Sequence, residues 1–439
     1  MKRLLPLILL GIGLTAPMVE SVAQTPDFSK HYAGGDISMF PTYQQAGVTY
    51  KDENGNKIDY LPYLHDVGMN AMRVRLFVNP DSYTIENGVK KEDVNVIQNL
   101  PYIIPLCQDI INNGFDLMLD FHYSDTWADP EKQYIPDAWK NLTDAQLIET
   151  IYNYTKNSLE TLKENGITPK FIQPGNEISY GMLWAGYGQP DNGSNHAYMN
   201  GNKNAWTRFG DLLTSAIAAC REVCPQAQII IHTERVAQVN VLTNFYNMMA
   251  SLNIDYDIIG LSYYPYFHGT LAQLNYALKS VEAQFPDYPI MIVETGYPLY
   301  WQVKGATMEP EFGYGTAEKQ DAYTKALVDL LEQHEHVTGL FWWWMEYNPY
   351  ISNSQSLEDW YNAPLVDPKT GKVLPATKTL ASFASNSGSV EWIGDDYSEE
   401  SKDNRWFNLQ GVQINKPSRP GIYIHKGKKV VIGSLGAAE

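Results

Sequence analysis

The sequence predicts an α/β fold, a (β/α)8 TIM barrel followed by a short C-terminal β appendage. Short apolar segments typical of buried strands alternate along the chain with longer segments of helical periodicity, as in repeated βα units. Strands are predicted at 33–38, 71–77, 116–122, 171–177, 228–233, 257–264, 290–294 and 339–344, and helices at 143–165, 205–223, 271–285 and 317–334. Eight such units close naturally into a barrel.

The predicted barrel is longer than the fold requires. Barrels of this type need about 250 residues, and the segment from 31 to 385 exceeds that length. The excess follows predicted strands, at 123–142, 178–204 and 345–373. Because loops after the strands build the active-site face of a barrel, we expect the functional residues there.

The N-terminus has the features of an export signal. Lys2 and Arg3 precede the apolar run 4–16, and Ser21-Val22-Ala23 forms a small-x-small cleavage site. We therefore divide the chain into a signal peptide at 1–23 and a catalytic domain at 24–385. The apolar run is too short for a permanent membrane span, although a retained anchor is the alternative. The predicted location is periplasmic, cell-surface or extracellular.

After residue 385 the composition changes. Residues 386–405 are polar and acidic and predict a linker, whereas 406–439 alternate like short strands separated by turns. So few residues bury little core of their own. Two interpretations of this C-terminal β module stay open. It resembles modules that end many secreted Gram-negative proteins, some of them sorting signals, or it is a sheet that packs on the barrel.

Charge and aromatic content narrow the class of partner. The formal net charge is −18, which disfavours nucleic acid and anionic membrane surfaces and favours a neutral ligand. Aromatic residues make up 13% of the chain, and their faces stack well on sugar rings. Cys107, Cys220 and Cys224 are too few for a disulfide scaffold. Buried thiols are one interpretation, and a strained Cys220–Cys224 bond is the other.

Two glutamates end predicted strands. Glu177 closes the segment 171–177, and Glu294 closes 290–294. A carboxylate at the mouth of an apolar strand is costly unless it is paired or used, and strand ends of a barrel converge on one pocket. Paired carboxylates that flank a bond are the groups that hydrolyse glycosides. Ion pairs with Arg or Lys are the structural alternative.

Five stretches around these glutamates resemble one enzyme family. They are GGDIS at 34–38, HYSDTWADP at 122–130, PGNEI at 174–178, LSYYP at 261–265 and VETGY at 293–297. Together, and in this order, they resemble glycoside hydrolase family 53, the endo-β-1,4-galactanases. The resemblance extends from about residue 30 to about residue 385.

The resemblance implies a secreted retaining enzyme that cleaves internal bonds of β-1,4-galactan, as in the type I arabinogalactan side chains of pectin. Glu177 would then be the acid/base and Glu294 the nucleophile. It also implies a monomer that needs no cofactor. The alternatives are a related barrel enzyme for mannan or glucan, and a glycan-binding protein without activity.

Supporting roles are assigned beside the two glutamates. Asn176 is expected to reach the sugar 2-hydroxyl, a contact that strengthens in the transition state, with strand capping as its alternative. The resemblance gives Arg75 the task of keeping the nucleophile ionised; a structural salt bridge is its alternative, and Arg73 faces the same side of the strand. Tyr264 is expected to donate to Glu294, with Tyr263 as the competing candidate.

Further polar and aromatic side chains lie at strand ends or in the loops that follow them. For His122 and His232, contact with sugar and a purely structural role are equally open. Asp36, Asp125 and Asp129 either recognise sugar hydroxyls or cap their own loops. The candidates for stacking on sugar are Trp127, Trp184, Trp343 and Trp344. Alternation along the last strand puts Trp342 and Trp344 on one side, and Trp344 is favoured.

Some bacterial members of the family carry a calcium site after strand 7. The corresponding loop here, 299–305, reads LYWQVKG and has no carboxylate cluster. We therefore expect no calcium at this position.

Overall fold

The computed structural model describes residues 27–197, 201–346 and 363–385, with 405–407, 413–417, 421–425 and 428–432. Eight parallel strands within these ranges close into a barrel, and the predicted (β/α)8 fold is confirmed. The strands are β1 Tyr32–Asp36, β2 Ala71–Leu76, β3 Asp116–Phe121, β4 Phe171–Pro174, β5 Gln228–Thr233, β6 Ile258–Tyr263, β7 Ile290–Thr295 and β8 Val337–Trp342.

Helices surround the barrel, and their ends follow local sequence signals. They are α1 Phe40–Gln45, α2 Tyr60–Asp66, α3 Leu100–Asn112, α4 Asp144–Glu164, α5 Lys203–Val223, α6 Val239–Ser251, α7 Pro265–His268, α8 Leu271–Gln284, α9 Ala317–Leu331 and α10 Ala376–Ser385, with a 3-10 turn at Arg235–Ala237. Thr143 begins α4 with a capping box to Gln146, so two orphan donors of the first turn are satisfied.

Alternation along the strands separates two apolar cores. Outward side chains such as Val74 and Leu119 pack under the helices in the larger core. Inward side chains fill the lower barrel in a smaller cluster, formed by Tyr32, Ala71, Met118, Phe171, Ile230, Ile258, Met291, Val293 and Phe341. Side chains two residues apart face the same way. The residues two positions after this inner layer therefore point into the barrel nearer its mouth.

That next inward layer is polar. Two residues beyond Ala71, Met118, Phe171 and Ile230 stand Arg73, Asp120, Gln173 and His232, all buried. A buried charge or polar group is tolerated when it is hydrogen-bonded. The inward side chains of the barrel therefore change, two residues further along the strands, from an apolar layer to a layer of hydrogen-bonded polar residues.

The loops after the strands add small sheets. Tyr134–Ile135, in the loop after β3, pairs in parallel with Ala185–Gly186, in the loop after β4. A hairpin of Tyr83–Glu86 and Val89–Glu92 follows β2. Two of the three segments predicted to hold the excess length therefore contain defined structure that joins one loop to the other.

Several sequence predictions concern the chain ends and the cysteines. The predicted signal peptide lies outside the described residues, and so does the linker up to residue 404. Beyond the linker, Trp406–Phe407, Gln413–Ile414, Gly421–His425 and Lys428–Ile432 form a four-stranded antiparallel sheet. The three cysteines are buried and free, so the thiol interpretation is confirmed. Across the ranges given above, no helix is long and apolar enough to cross a membrane.

Candidate active site

Glu177 lies in a tight turn just beyond β4. The strand ends at Pro174, so the predicted extension of the strand to 177 was wrong. Gly175 has a φ of 115°, and a Cβ there would come within 2.7 Å of Ile178 Cγ2. Glu177 has a φ of 47°, a left-handed conformation that costs a non-glycine residue about 1–3 kcal/mol. Residues in such a conformation cluster at active sites and ligand-binding sites.

Glu294 lies near the end of β7 with both carboxylate oxygens bonded. Arg73 Nη2 is 2.9 Å from Oε1, and the Tyr264 hydroxyl donates to Oε2 at 2.9 Å. The predicted contact of Tyr264, rather than Tyr263, is therefore present. Tyr263 instead donates to the carbonyl oxygen of Gly269.

The cation beside Glu294 is Arg73, and the prediction of Arg75 for that place was wrong. Arg73 also donates to Gln173 at 2.8 Å, to Asp120 at 2.8 Å and to Asn176 at 2.9 Å. Arg75 instead forms an ion pair with Asp36 at 2.8 Å. Its guanidinium also lies over two indole rings, 4.9 Å from Trp127 and 4.8 Å from Trp344.

A residue that the sequence analysis did not select, Ser262, joins the two glutamates. Its Oγ is 2.7 Å from Glu177 Oε1 and 3.5 Å from Glu294 Oε2. His232 Nε2 lies 2.8 Å from the same oxygen. Glu177 and Glu294 are thus brought together around one buried hydroxyl, as the convergence of strand ends predicted.

The two carboxyl groups have different acidities. Burial, Glu294 and Glu234 all raise the pKa of Glu177 well above its ordinary value, and the Ser262 hydrogen bond opposes them. The pKa of Glu294 is also raised, by burial and by the charges of Asp120 and Asp36, although the charge of Arg73 and the Tyr264 hydrogen bond oppose the rise. Two titratable groups whose surroundings push their pKa values apart are suited to separate acid and base roles.

Asn176 and His122 are held by protein contacts. Asn176 accepts from Arg73 and donates through Nδ2 to the carbonyl oxygen of Ala128 at 2.8 Å. An amide NH₂ carries two donors, so this bond uses one of them. His122 contacts Asp120 through Nε2 at 3.1 Å and accepts from Ala128 N–H through Nδ1 at 3.1 Å. Both nitrogens of His122 are therefore engaged structurally.

The three aspartates predicted after β1 and β3 make structural contacts. Asp36 accepts from Ser38 N–H at 3.1 Å besides pairing with Arg75. Asp125 accepts the backbone N–H groups of residues 79 and 137, and Asp129 accepts those of residues 131 and 132. Asp36 and Asp129 thus cap their own loops, as one interpretation expected, whereas Asp125 joins its loop to the one that follows β2.

Of the tryptophans, Trp344 does not have the position predicted for it. It is only 1% exposed, has a φ of 55°, and donates through Nε1 to Tyr43. Because β8 ends at Trp342, strand alternation does not extend to Trp344, and its selection as the sugar platform was wrong. Trp127 and Trp343 remain partly exposed, with ring centroids 6.3 Å apart. Trp184 stacks on His196 at 3.8 Å.

Another buried carboxylate, also missed in the sequence, follows β5. Glu234 accepts from Ser179 Oγ at 2.6 Å and pairs with Arg235 at 2.7 Å. Burial raises its pKa to about 7. Its signal in the sequence was the same as that of Glu294, a carboxylate after an apolar strand.

The acidic, histidine and cysteine side chains are not gathered into a metal-binding cluster in the part of the chain that the structure describes. Within residues 27–197, 201–346 and 363–385, no group of three or more His, Cys, Asp or Glu side chains is arranged to hold an ion.

Comparison with known proteins identifies the family. The model of glycosyl hydrolase family 53 matches residues 32–380. The chain belongs to this family. It is 31% identical over 350 residues to the arabinogalactan endo-beta-1,4-galactanase of Cellvibrio japonicus. The aligned region covers 75% of this chain and 85% of that protein.

Solved structures of the same family also align with the chain. The GH53 catalytic domain of Ignisphaera aggregans has a TM-score of 0.67 and 30% identity, covering 82% of this chain and 97% of that one. One of two fungal beta-1,4-galactanases has a TM-score of 0.65 and 25% identity, covering 80% and 99%. The fold and the enzyme class, a glycoside hydrolase, are thereby established.

Proposed function

We propose that this hydrolase is an exported, retaining endo-β-1,4-galactanase acting on galactan and on the type I arabinogalactan side chains of pectin. The observation that carries the proposal is the pair Glu177 and Glu294, held around one hydroxyl at the barrel mouth. Retaining pairs lie about 5–5.5 Å apart, whereas inverting pairs leave about 6.5–9.5 Å for a water. A hydroxyl within 3.5 Å of both carboxylates favours the closer arrangement.

The substrate assignment is supported by the relatives rather than by one contact. The Cellvibrio japonicus and fungal relatives are named as β-1,4-galactanases. The site adds partly exposed aromatic rings at Trp127 and Trp343, which suit the apolar face of a neutral sugar. A galactose unit has an axial 4-hydroxyl, which leaves one face of its ring free for such stacking.

In the first half-reaction, Glu294 attacks the anomeric carbon and Glu177 gives its proton to the leaving oxygen. Arg73 and Tyr264 hold Glu294 ionised and oriented, so it begins as the nucleophile. Glu177 keeps its proton because burial and the charge of Glu294 raise its pKa. The bond to the leaving oxygen breaks with its electrons on that oxygen, and a galactosyl ester of Glu294 results.

In the second half-reaction, Glu177 acts as the base. Once Glu294 is esterified, it no longer carries the negative charge that raised the pKa of Glu177, so Glu177 holds its proton less strongly. It takes a proton from water as the water oxygen attacks the anomeric carbon. The ester bond breaks with its electrons on Glu294, and both carboxyl groups return to their starting states.

The substrate and the stereochemistry are tested on the mature protein, residues 24–439. Reducing-sugar release is measured on β-1,4-galactan, mannan, xylan and cellulose, and early products are followed by proton NMR. We expect short galacto-oligosaccharides from galactan and essentially no cleavage of the other three polymers. A site that hydrogen-bonds sugar hydroxyls rejects an epimer strongly because buried polar groups are left unpaired.

Each other outcome of this assay selects an alternative. Comparable rates on mannan or cellulose would show that the protein is a related barrel β-glycanase rather than a galactanase. Binding of galactan without cleavage would leave a glycan-binding protein. An α-product in the first spectra would overturn retention, because double displacement releases the β-anomer first.

A further inference from the structure

Ser262 occupies a position that the proposed mechanism has not yet used. It is fully buried in β6, and its Oγ is the one side-chain atom in the described ranges that hydrogen-bonds to both catalytic glutamates. Its contact with Glu177, at 2.7 Å, is also the only side-chain hydrogen bond to that carboxylate among the described residues. Glu294, by contrast, has Arg73 and Tyr264 as well.

The hydrogen-bond network determines where the Ser262 proton points. The backbone N–H of Glu177 donates to His232 Nδ1 at 3.4 Å, so Nδ1 is the acceptor nitrogen. Burial and the charge of Arg73 lower the pKa of His232 well below its ordinary value, so the ring is neutral. A neutral imidazole that accepts at Nδ1 carries its hydrogen on Nε2. His232 therefore donates to Ser262 Oγ at 2.8 Å, which leaves the hydroxyl hydrogen for a carboxylate.

We propose that Ser262 is a positioning residue whose single O–H follows the negative charge between Glu294 and Glu177 during the reaction. This inference rests on the proposed double displacement. In the free enzyme the charge is on Glu294, and the hydroxyl turns toward Oε2. As Glu177 gives its proton to the leaving oxygen, the charge appears on Glu177 and the hydroxyl turns to Oε1. Proton transfer from water to Glu177 reverses the change.

The contact of Ser262 with Glu177 is shorter than its contact with Glu294, and this difference indicates which step the hydroxyl affects most. Ser262 Oγ is 2.7 Å from Glu177 but 3.5 Å from Glu294. Hydrogen bonds to charged groups are stronger than those between neutral groups. The hydroxyl therefore stabilises the Glu177 carboxylate more than the Glu294 carboxylate. Its main effect is on the step in which Glu177 loses its proton, which is protonation of the leaving group.

The test is Ser262→Ala in the mature enzyme, with substrates that differ in leaving group. On galactan, kcat/KM is expected to fall by about 10- to 100-fold, the effect of losing a hydrogen bond to a developing charge. For a nitrophenyl β-galactobioside, whose leaving group needs little protonation, the loss should be below about 3-fold. The dependence of kcat/KM on leaving-group pKa should accordingly become steeper.

The pH profile provides a second measurement that a packing defect would not change. The Ser262 bond lowers the pKa of Glu177, so its removal raises that pKa and moves the basic limb of kcat/KM to higher pH. The acidic limb should move much less, because the 3.5 Å contact of Ser262 with Glu294 is the weaker one and Arg73 and Tyr264 still bond that carboxylate. Charged or titratable groups on the surrounding elements are unchanged in the variant: Asp36, Arg73, Asp120, Asp129, His232, Glu234 and Tyr264.

Two further variants control for folding. Ser262→Thr keeps the hydroxyl and should recover most of the activity on galactan. Tyr246→Phe removes another buried hydroxyl, which donates to the carbonyl oxygens of Ile231 on β5 and Gly260 on β6. These are the strands that carry His232 and Ser262. Tyr246→Phe should lower thermal stability and leave the leaving-group dependence and the pH profile as in the wild type.

Equal losses on galactan and on the aryl substrate, or an unmoved basic limb in a folded Ser262→Ala protein, would overturn the inference. These results would leave retention intact, because the wild-type product anomer decides that point separately. An α-product from the wild type would instead remove the double displacement, and the Ser262 inference with it.

Discussion

Asp120 and Glu177 are carboxyl groups at the mouth of one barrel with opposite acidities. Asp120 is fully buried at β3, where Arg73 Nη2 lies 2.8 Å and His122 Nε2 lies 3.1 Å from Oδ2. Burial alone would raise its pKa, but Arg73 and His122 lower it to about 2. Glu177 lies beyond the neighbouring β4, where burial and the charges of Glu294 and Glu234 together raise its pKa.

The difference shows that burial alone does not decide the role of a carboxylate at a strand end. Both groups are desolvated, yet the sign of the nearest charges lowers the pKa of Asp120 and raises that of Glu177. Arg73 connects the two regions because it contacts both Asp120 and Glu294. One guanidinium thus opposes a rise in the pKa of both Asp120 and Glu294, while Glu177 lies outside its contacts.

The largest expected effect is at Glu294. Glu294→Ala should lower kcat on galactan by about 10⁶-fold, the order seen when a covalent nucleophile is lost. Added azide should restore cleavage of an activated galactoside by entering the space of the lost carboxylate, and NMR should show the α-galactosyl azide. Turnover like that of the wild type would remove Glu294 from the mechanism.

At Glu177 the expected loss is smaller and depends on the substrate. Glu177→Ala should slow galactan hydrolysis by about 10²–10⁴-fold, the usual contribution of general acid catalysis. The first step on a nitrophenyl substrate should be much less affected, and azide should now give the β-galactosyl azide. Pre-steady-state kinetics on both substrates measure this, and equal losses would argue against proton donation by Glu177.

Replacing Asp120 and Glu177 by their neutral isosteres should change the stability of the protein in opposite directions. Asp120→Asn leaves Arg73 with one charge partner fewer in the interior and should lower the free energy of unfolding by about 3 kcal/mol. Glu177→Gln removes a carboxyl group from a site that disfavours its charge. The free energy of unfolding should therefore rise by about 1 kcal/mol. Urea unfolding at pH 7 compares the two variants, and changes of the same sign would contradict the contrast.

The smallest effect is the pH dependence of those differences. The pKa of Asp120 is lower in the folded state than its unfolded value of about 3.9. Its stabilisation is therefore complete above about pH 4 and is lost as the pH falls toward about 2. The pKa of Glu177 is raised, so its destabilising effect appears only as the pH rises above about 4.3. The increase in the free energy of unfolding that Glu177→Gln produces should therefore vanish near pH 4.

Much of this architecture could be predicted from the sequence because it depends on local pattern. The eight strands and the capped helix α4 follow from apolar periodicity and from Thr143 with Gln146. Glu177, Glu294 and Tyr264 were found because each follows or ends an apolar strand inside a matching motif. Their convergence required only that strand ends of a barrel meet.

The errors concern quantities that a single strand does not encode. Arg73 and Arg75 face the same side, and only the stagger of neighbouring strands decides which one is level with Glu294. Trp344 was selected by extending alternation past Trp342, where the strand ends. Ser262 is a small, ordinary strand residue, and its importance comes from atoms on β5, on β7 and in the turn after β4 that meet at its hydroxyl.

The short parallel pairing between Tyr134–Ile135 and Ala185–Gly186 has a practical consequence for protein engineering. Loops of a barrel are usually regarded as separate parts that can be exchanged one at a time. Here an insertion in either loop would shift the register of the other, and Gln133 beside this pairing donates to the backbone of Asn176 at 2.9 Å. A transplant intended to alter substrate choice should therefore move both loops as one cassette.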